Sequence, residues 1–325
     1  MAHEISNVSG INEVFVAGQP AWHGLGQRCD SAQTSAEAIK LAGLDWNVEQ
    51  RPLTMPCGTE LPDTVANVRK SATGADVYLG AVSKSYRIVQ NREAFAFFDE
   101  VVGEKLAIFE TAGALKEGRK VWMLAKLPGE MVIGNKDNVN KYLLLANSHD
   151  ATSKLRMFFT PVRVVCNNTL TAAVGKAGAD EGISISHVGK IEQRVEEAVR
   201  CLGVANKKYQ ELEVLFNKLA QVKVSPDAVI DYHKACLPDE QDTNNQAKDK
   251  ARKLMFNNYI NGRGAEMAHG TMWGAYNSVT EFYDHSRYEG KHTAVNCDGR
   301  MESLLFGTGF SAKRKALELA VEATK

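Results

Sequence analysis

The sequence predicts an α+β fold: an antiparallel β-meander with a helix packed across it, a ββββα core, followed by a long helix and a mostly helical C-terminal region. Three observations carry that prediction. Between residues 106 and 188 four β-rich segments follow one another, joined by connections that contain Gly, Pro or Asp. From Lys190 the hydrophobic period changes to that of a long helix. Beyond it, helical spacing recurs in segments separated by polar or Gly-containing stretches.

The first region, residues 1–105, mixes both element types. Thr34 and Glu37 stand at capping-box spacing ahead of Ala38, Ile39 and Leu41, which predicts a short helix ending at Gly43. Residues 46–53, 64–68 and 77–82 are rich in β-branched or aromatic side chains and are separated by Pro and Gly, as strands are. Asn91 is a good N-cap for a helix reaching Val102, in which Phe95, Phe98, Val101 and Val102 recur at three-to-four spacing.

In the second region, 106–188, the strands are 108–115, 120–127, 141–147 and 153–165. Asn167, Asn168 and Thr169 then offer N-cap side chains to a short helix over 170–174, stopped by Gly175. The third region, 189–325, opens with a helix over 190–219. There Ile191, Val195, Ala198, Leu202, Ala205, Tyr209, Leu212, Phe216 and Leu219 alternate steps of four and three. Such a seam must meet another helix or another chain. Helices are expected at 226–236, 247–260, 270–285 and 311–322, with 237–246 as a mobile loop.

Composition narrows the function classes. Apolar residues make up 44% and charged residues 24%, close to globular averages, which excludes a disordered or fibrous chain. Lys plus Arg number 39 and so do Asp plus Glu, so no global charge draws the chain to nucleic acid or to an anionic membrane; any such binding must come from a local patch. The opening MAHEISNVSG has neither a basic nor an apolar leader region, and no long apolar run follows, so a cytoplasmic protein is expected. Six cysteines without a CxxC pair read as free, mostly buried thiols and not as a structural zinc site.

In the fourth strand of the meander a period of two places Lys154, Arg156 and Phe158 on one face and Leu155, Met157 and Phe159 on the other. A cationic face with an aromatic edge suits single-stranded nucleic acid: the cations neutralise phosphates, and each base stacked on an aromatic ring contributes about 1–3 kcal/mol. Arg163, and Asn167 at the opening of the next helix, whose free N–H groups favour an anion, extend that face. A second basic stretch, Lys248, Lys250, Arg252, Lys253 and Arg263, would prolong a phosphate track, with only Asp249 opposing it. The plainer reading of both is a solvated face whose charges resist edge pairing.

Other chemistry is weaker. His149–Asp150 and Asp284–His285 are adjacent pairs without metal-ligand spacing, so loop or capping roles are expected. Trp22 and His23 read as an aromatic clamp on a turn, and Cys166, without an identifiable base, as a buried thiol. The glycines around Gly24 and Gly307 match no phosphate loop. No catalytic residue, metal or cofactor is predicted.

Several stretches together resemble the phage- and plasmid-borne family catalogued as domain of unknown function 932: WHGLG at 22–26, LGAVSKSYRIVQNREAFAFFD at 79–99, NSHDATSKLRMFFTPVRVVCNNTL at 147–170 and GTMWGAYNSVTEFYDH at 270–285. The resemblance covers nearly the whole chain, and TPVRVVCNNTL is its most specific part. It implies carriage on mobile elements, near genes that handle incoming DNA. By analogy of element order, the meander with its helix is similar to the core of Rad52-like single-strand annealing proteins, which assemble as rings. The leading expectation is therefore a non-enzymatic, homo-oligomeric protein of a bacterial cytoplasm that binds and anneals single-stranded DNA and has no membrane partner. Two alternatives stand beside it. One is an interaction protein that blunts restriction or another defence by binding a host defence protein. The other is a metal-dependent nuclease, which would need His149, Asp150, His269, Asp284 or His285 to meet in one cleft.

Overall fold

A computed structural model of the chain describes residues 6–8, 11–17, 27–29, 32, 34–71, 73–102, 108–163, 168–169, 183–184, 191–241, 245–288, 303 and 307–324. In chain order these form β1 (Asn7–Val8), β2 (Ile11–Asn12), β3 (Val14–Ala17), β4 (Gln27–Cys29), α1 (Ser35–Leu41), β5 (Val48–Thr54), β6 (Glu60–Lys70), β7 (Asp76–Ser83) and α2 (Asn91–Val102). The central strands are β8 (Ile108–Leu115), β9 (Lys120–Ile133), β10 (Asp137–Ser148), β11 (Arg156–Phe159), β12 (Val162–Arg163), β13 (Asn168–Thr169) and β14 (Ile183–Ser184). Then come α3 (Ile191–Gln221), α4 (Pro226–Cys236), α5 (Gln246–Asn261), α6 (Ala265–Ala268), α7 (Met272–Asp284), a 3-10 turn at Ser286–Tyr288, and α8 (Thr308–Glu322).

The fold is α+β, with sheets that are antiparallel apart from the parallel β3–β4 pair, and with helices mostly in the C-terminal region. Among the described residues the larger sheet is ordered β13-β12-β10-β9-β8-β3-β4, with β11 paired to β10 and β14. Its middle is the meander expected from the sequence. A second sheet, β5-β6-β7, is antiparallel throughout. The chain divides into two compact units, one holding Met1–Pro128, Leu143–Phe158 and Asp180–Val204, the other Gly129–Tyr142, Phe159–Ala179 and Ala205–Lys325.

In the first unit Thr34 caps α1, its hydroxyl accepting from the Glu37 N–H at 3.2 Å, and Gly43 leaves the helix at φ +66°. β6 is a central strand in its second half: Val65, Ala66, Asn67, Val68 and Arg69 are all buried, so both of its faces are covered. α1 and α2 close part of this core through Ala38, Ile39, Phe95 and Phe98, and Phe98 meets Phe109 of β8 edge-on at 5.9 Å.

In the second unit β9 and β10 are joined through Gly134 and Asn135, both at positive φ (59° and 62°), as a tight hairpin turn of right-handed twist requires. α3 docks on this hairpin end. The Gly134 N–H donates to Asn217 Oδ1 (3.0 Å), Asn217 Nδ2 donates to the Val132 carbonyl (3.1 Å), and the Tyr142 N–H donates to the Tyr209 hydroxyl (2.9 Å). Phe216 lies 4.8 Å from the Trp273 ring of α7. Ala205, Tyr209, Leu212, Phe216 and Leu219 are at most 2% exposed, so this part of the heptad seam is satisfied within the chain. Each of the larger side chains contributes roughly 1.5–3 kcal/mol by leaving water. Ser225 caps α4, and Thr271 caps α7. Among the described residues no helix is long and apolar enough to cross a membrane.

Three local expectations are corrected. The strand expected over 153–165 is two, β11 and β12, because Pro161 has no N–H to continue the ladder. Asn168 and Thr169, expected to offer N-cap side chains, are strand residues paired with Arg163 and Val162; 170–175, 22–26, Cys166 and Asn167 lie outside the described residues. Asn91 begins α2 from inside the helix: the Ala94 N–H bonds the Gln90 carbonyl, and the Asn91 side chain turns into the core.

Candidate functional site

β11 keeps the alternation read from its sequence. Leu155 (4% exposed) and Met157 (0%) are buried, whereas Arg156 and Phe158 are half-buried and Lys154, just before the strand, is exposed. The cationic and aromatic side chains thus share the less buried side of a strand whose other side places Leu155 and Met157 in the core, with Phe159 half-buried at its end.

The loop that delivers this strand is fixed by its own hydrogen bonds. Asp150 accepts from the Thr152 N–H (3.0 Å), from the Thr152 hydroxyl (2.6 Å) and from the Ser148 hydroxyl. Burial works to raise the Asp150 carboxyl, but these donors outweigh it and hold the group below its ordinary range. Asn147 Nδ2 donates to the Val89 carbonyl (3.0 Å) and Tyr86 Oη to the Ser148 carbonyl (3.0 Å), so the 86–91 and 147–153 segments are stitched together.

Behind the loop lies a closed polar centre. Arg69, 2% exposed, donates from both terminal nitrogens to Glu13 (2.5 and 2.9 Å) and from Nε to the Glu117 carbonyl (2.9 Å). Its guanidinium lies 4.3 Å from the Trp46 ring centroid. Burial raises the Glu13 carboxyl, while Arg69 pulls it down. The carbonyl of Glu117 is presented by a turn with Gly118 at φ +98°, where a Cβ would stand 2.8 Å from Arg69 Nε, so glycine is required there. Trp46 meets the His149 ring edge-on at 5.5 Å.

Hydrogen bonding assigns the His149 tautomer. Asn91 Nδ2 donates to the Leu44 carbonyl (3.0 Å), so its Oδ1 faces His149 Nε2 (2.9 Å), and that nitrogen carries the proton. Nδ1 then holds a lone pair without a hydrogen-bond partner. Burial, with Arg69 adding to it, pushes the His149 pKa down to about 4. With His149 0% exposed the centre offers no entry to a substrate, and what it does chemically is hold the loop ahead of Lys154 in one geometry.

The remaining sequence-predicted residues are distributed as follows. Arg163 sits in β12 opposite Val139 and Asn168. Lys248 and Arg252 project from α5 onto the start of the 237–246 loop. Lys248 Nζ reaches the Pro238 carbonyl (2.7 Å) and Glu240 (2.8 Å); Arg252 binds the Leu237 carbonyl, Asp249 (3.0 Å) and Asp239. These two cations anchor a loop that the sequence suggested would be mobile. Lys253 is exposed. Lys154, Arg156 and Phe158 belong to the first unit, and Arg163, Lys248, Arg252 and Lys253 to the second.

The histidines and acids considered for metal chemistry have other partners. Asp284 forms a buried ion pair with Lys313 (2.7 Å), His269 stacks on Tyr259 at 5.4 Å, and His149 and Asp150 are engaged as above. Among the described residues no group of three or more His, Cys, Asp or Glu is placed to hold a metal ion. Among the cysteines whose side chains are described, Cys57 is exposed and Cys201 and Cys236 are buried.

Sequence reasoning missed Glu13, Arg69 and Trp46. The available signal was Asn67 and Arg69 two residues apart inside a β-rich run, which on a core face demands polar partners.

A family model described as Domain of unknown function (DUF932) matches residues 78–306. No curated protein and no solved structure matches the chain.

Proposed function

We propose that this chain, which belongs to the family described as Domain of unknown function (DUF932), is a single-stranded DNA binding and annealing protein of phage or plasmid recombination, working as a homo-oligomer in a bacterial cytoplasm. The observation that carries the reading is the division of β11: Leu155 and Met157 in the core, Arg156 and Phe158 on the solvent-touching side, and Lys154 exposed at the end of a rigid loop. Lys154 and Arg156 neutralise successive phosphates and Phe158 stacks on a base, with Arg163, Asn167 and Lys253 as further contacts. The meander with a helix packed across it, as expected from the sequence, also suits the element order of Rad52-like annealing proteins, an analogy of architecture alone. Lys248 and Arg252 contribute less, because both are already bound to carboxylates. Protein that holds bases unstacked along a strand, repeated around an oligomer, presents them for pairing with a complementary strand.

The test is an electrophoretic mobility shift with oligo-dT at two salt concentrations. A shift that weakens with salt is expected, by about 0.7 log units per log unit of salt for each phosphate contacted. Lys154→Gln with Arg156→Gln should lower that slope by about 1.4 on the same rule. No shift at low salt with micromolar protein removes the proposal.

A further inference from the structure

Arg287 lies in the 3-10 turn Ser286–Tyr288 that follows α7. Its guanidinium carbon is 5.4 Å from the Tyr283 ring centroid and 5.0 Å from that of Tyr288. The turn is anchored: the Ser286 hydroxyl, buried, lies 3.1 Å from Asn258 of α5, and the Tyr288 N–H bonds the His285 carbonyl at 2.9 Å. All three side chains of the cluster are half-buried.

Among the described residues Arg287 meets no carboxylate. Lys248 and Lys313 in the same unit each meet one, and Arg252 meets two. An arginine held against aromatic rings is weakly hydrated and oriented, while the N–H groups around its rim remain to be satisfied. A tetrahedral oxyanion satisfies them with two parallel hydrogen bonds and supplies the missing counter-charge.

We propose that Arg287, held between Tyr283 and Tyr288, binds one phosphodiester of single-stranded DNA. This inference rests on the DNA-binding reading and adds to it a contact in the second unit that the basic runs of the sequence did not include.

Fluorescence anisotropy with labelled oligo-dT, at several salt concentrations, tests it on the full chain. Arg287→Gln should weaken binding roughly tenfold or more, as loss of a charged hydrogen bond does. It should also lower the slope of log affinity against log salt by about 0.7. Arg287→Lys keeps the charge but not the planar fork, so the slope stays and part of the affinity is lost. A second measurement uses the unaltered protein: oligo-dT should slow modification of Arg287 by phenylglyoxal severalfold, read by mass spectrometry. Wild-type affinity and slope in Arg287→Gln, or an unchanged modification rate with DNA bound, overturns the contact and leaves the DNA-binding reading standing. If wild-type protein binds no DNA, the broader reading falls and this contact falls with it.

Discussion

Arg69 and Glu13 show what single side chains contribute. Each is buried and each satisfies the other, so removing one strands a charge in the core. Arg69→Met is expected to cost about 3–5 kcal/mol, whereas Arg69→Met with Glu13→Leu should recover most of that, because a buried pair repays little more than its own desolvation. Urea denaturation of the two single variants and the double variant measures the difference. Among the described residues two buried histidines set a pH dependence of known sign. His149 and His233 both have folded pKa values near 4, lowered by burial from an ordinary 6.5. A base whose folded pKa is depressed contributes stability that is present above the unfolded value and is lost as pH falls through the folded one. Stability should therefore decline between pH 6.5 and 4, by about 3 kcal/mol for each histidine, with Glu13 working in the opposite sense. Denaturation midpoints across that window, compared with those of His149→Gln, isolate the first share; an unchanged profile in the variant would show that His149 titrates normally.

Among the elements, α3 and the loop before β11 make the clearest demands. Tyr209→Phe removes the hydroxyl that accepts from the Tyr142 N–H and donates to the Tyr142 carbonyl, which keeps the Thr160 N–H as a donor, and should cost about 1–3 kcal/mol in thermal or chemical unfolding. Val214, on the opposite side of α3 and 73% exposed, should accept Asp with a change within about 0.5 kcal/mol and no change in solution mass. A change in solution mass would instead place an interface between copies on that face. A Cβ at Gly80 would come within 2.9 Å of the Asp150 Cα, so Gly80→Ala should push the 147–153 loop out of place. Faster hydrogen exchange there is the expected readout, together with weaker oligo-dT binding under the proposed function. Element bounds were largely legible because capping and periodicity act within a turn or a strand: Ser225–Pro226 opens α4 where it should, and the meander strands fall on their β-branched runs. The heptad seam was legible as a stripe that must be covered but not as to what covers it, since periodicity carries no information about the partner.

For the molecule as a whole, two compact units are each drawn from several stretches of chain. The Glu13–Arg69 pair lies in the first and the Asp284–Lys313 pair in the second. Hydrogen exchange read by mass spectrometry should show Arg69→Met lowering protection chiefly in the first unit and Lys313→Met chiefly in the second. A uniform loss from either variant would mean that the chain opens as one cooperative body.

The sequence by itself determined the kind and order of most elements after residue 34, the meander, the Thr34 cap of α1, and which side of β11 holds core residues. Only the tertiary structure decided which cations remain available to a ligand. Arg69 and Lys313 look no different in sequence from Lys154 or Arg287, yet their carboxylates arrive from 56 and 29 positions away. A charge is neutralised or left open by desolvation and by partners that the fold brings in from a distance, and neither is encoded in the residue's own neighbourhood.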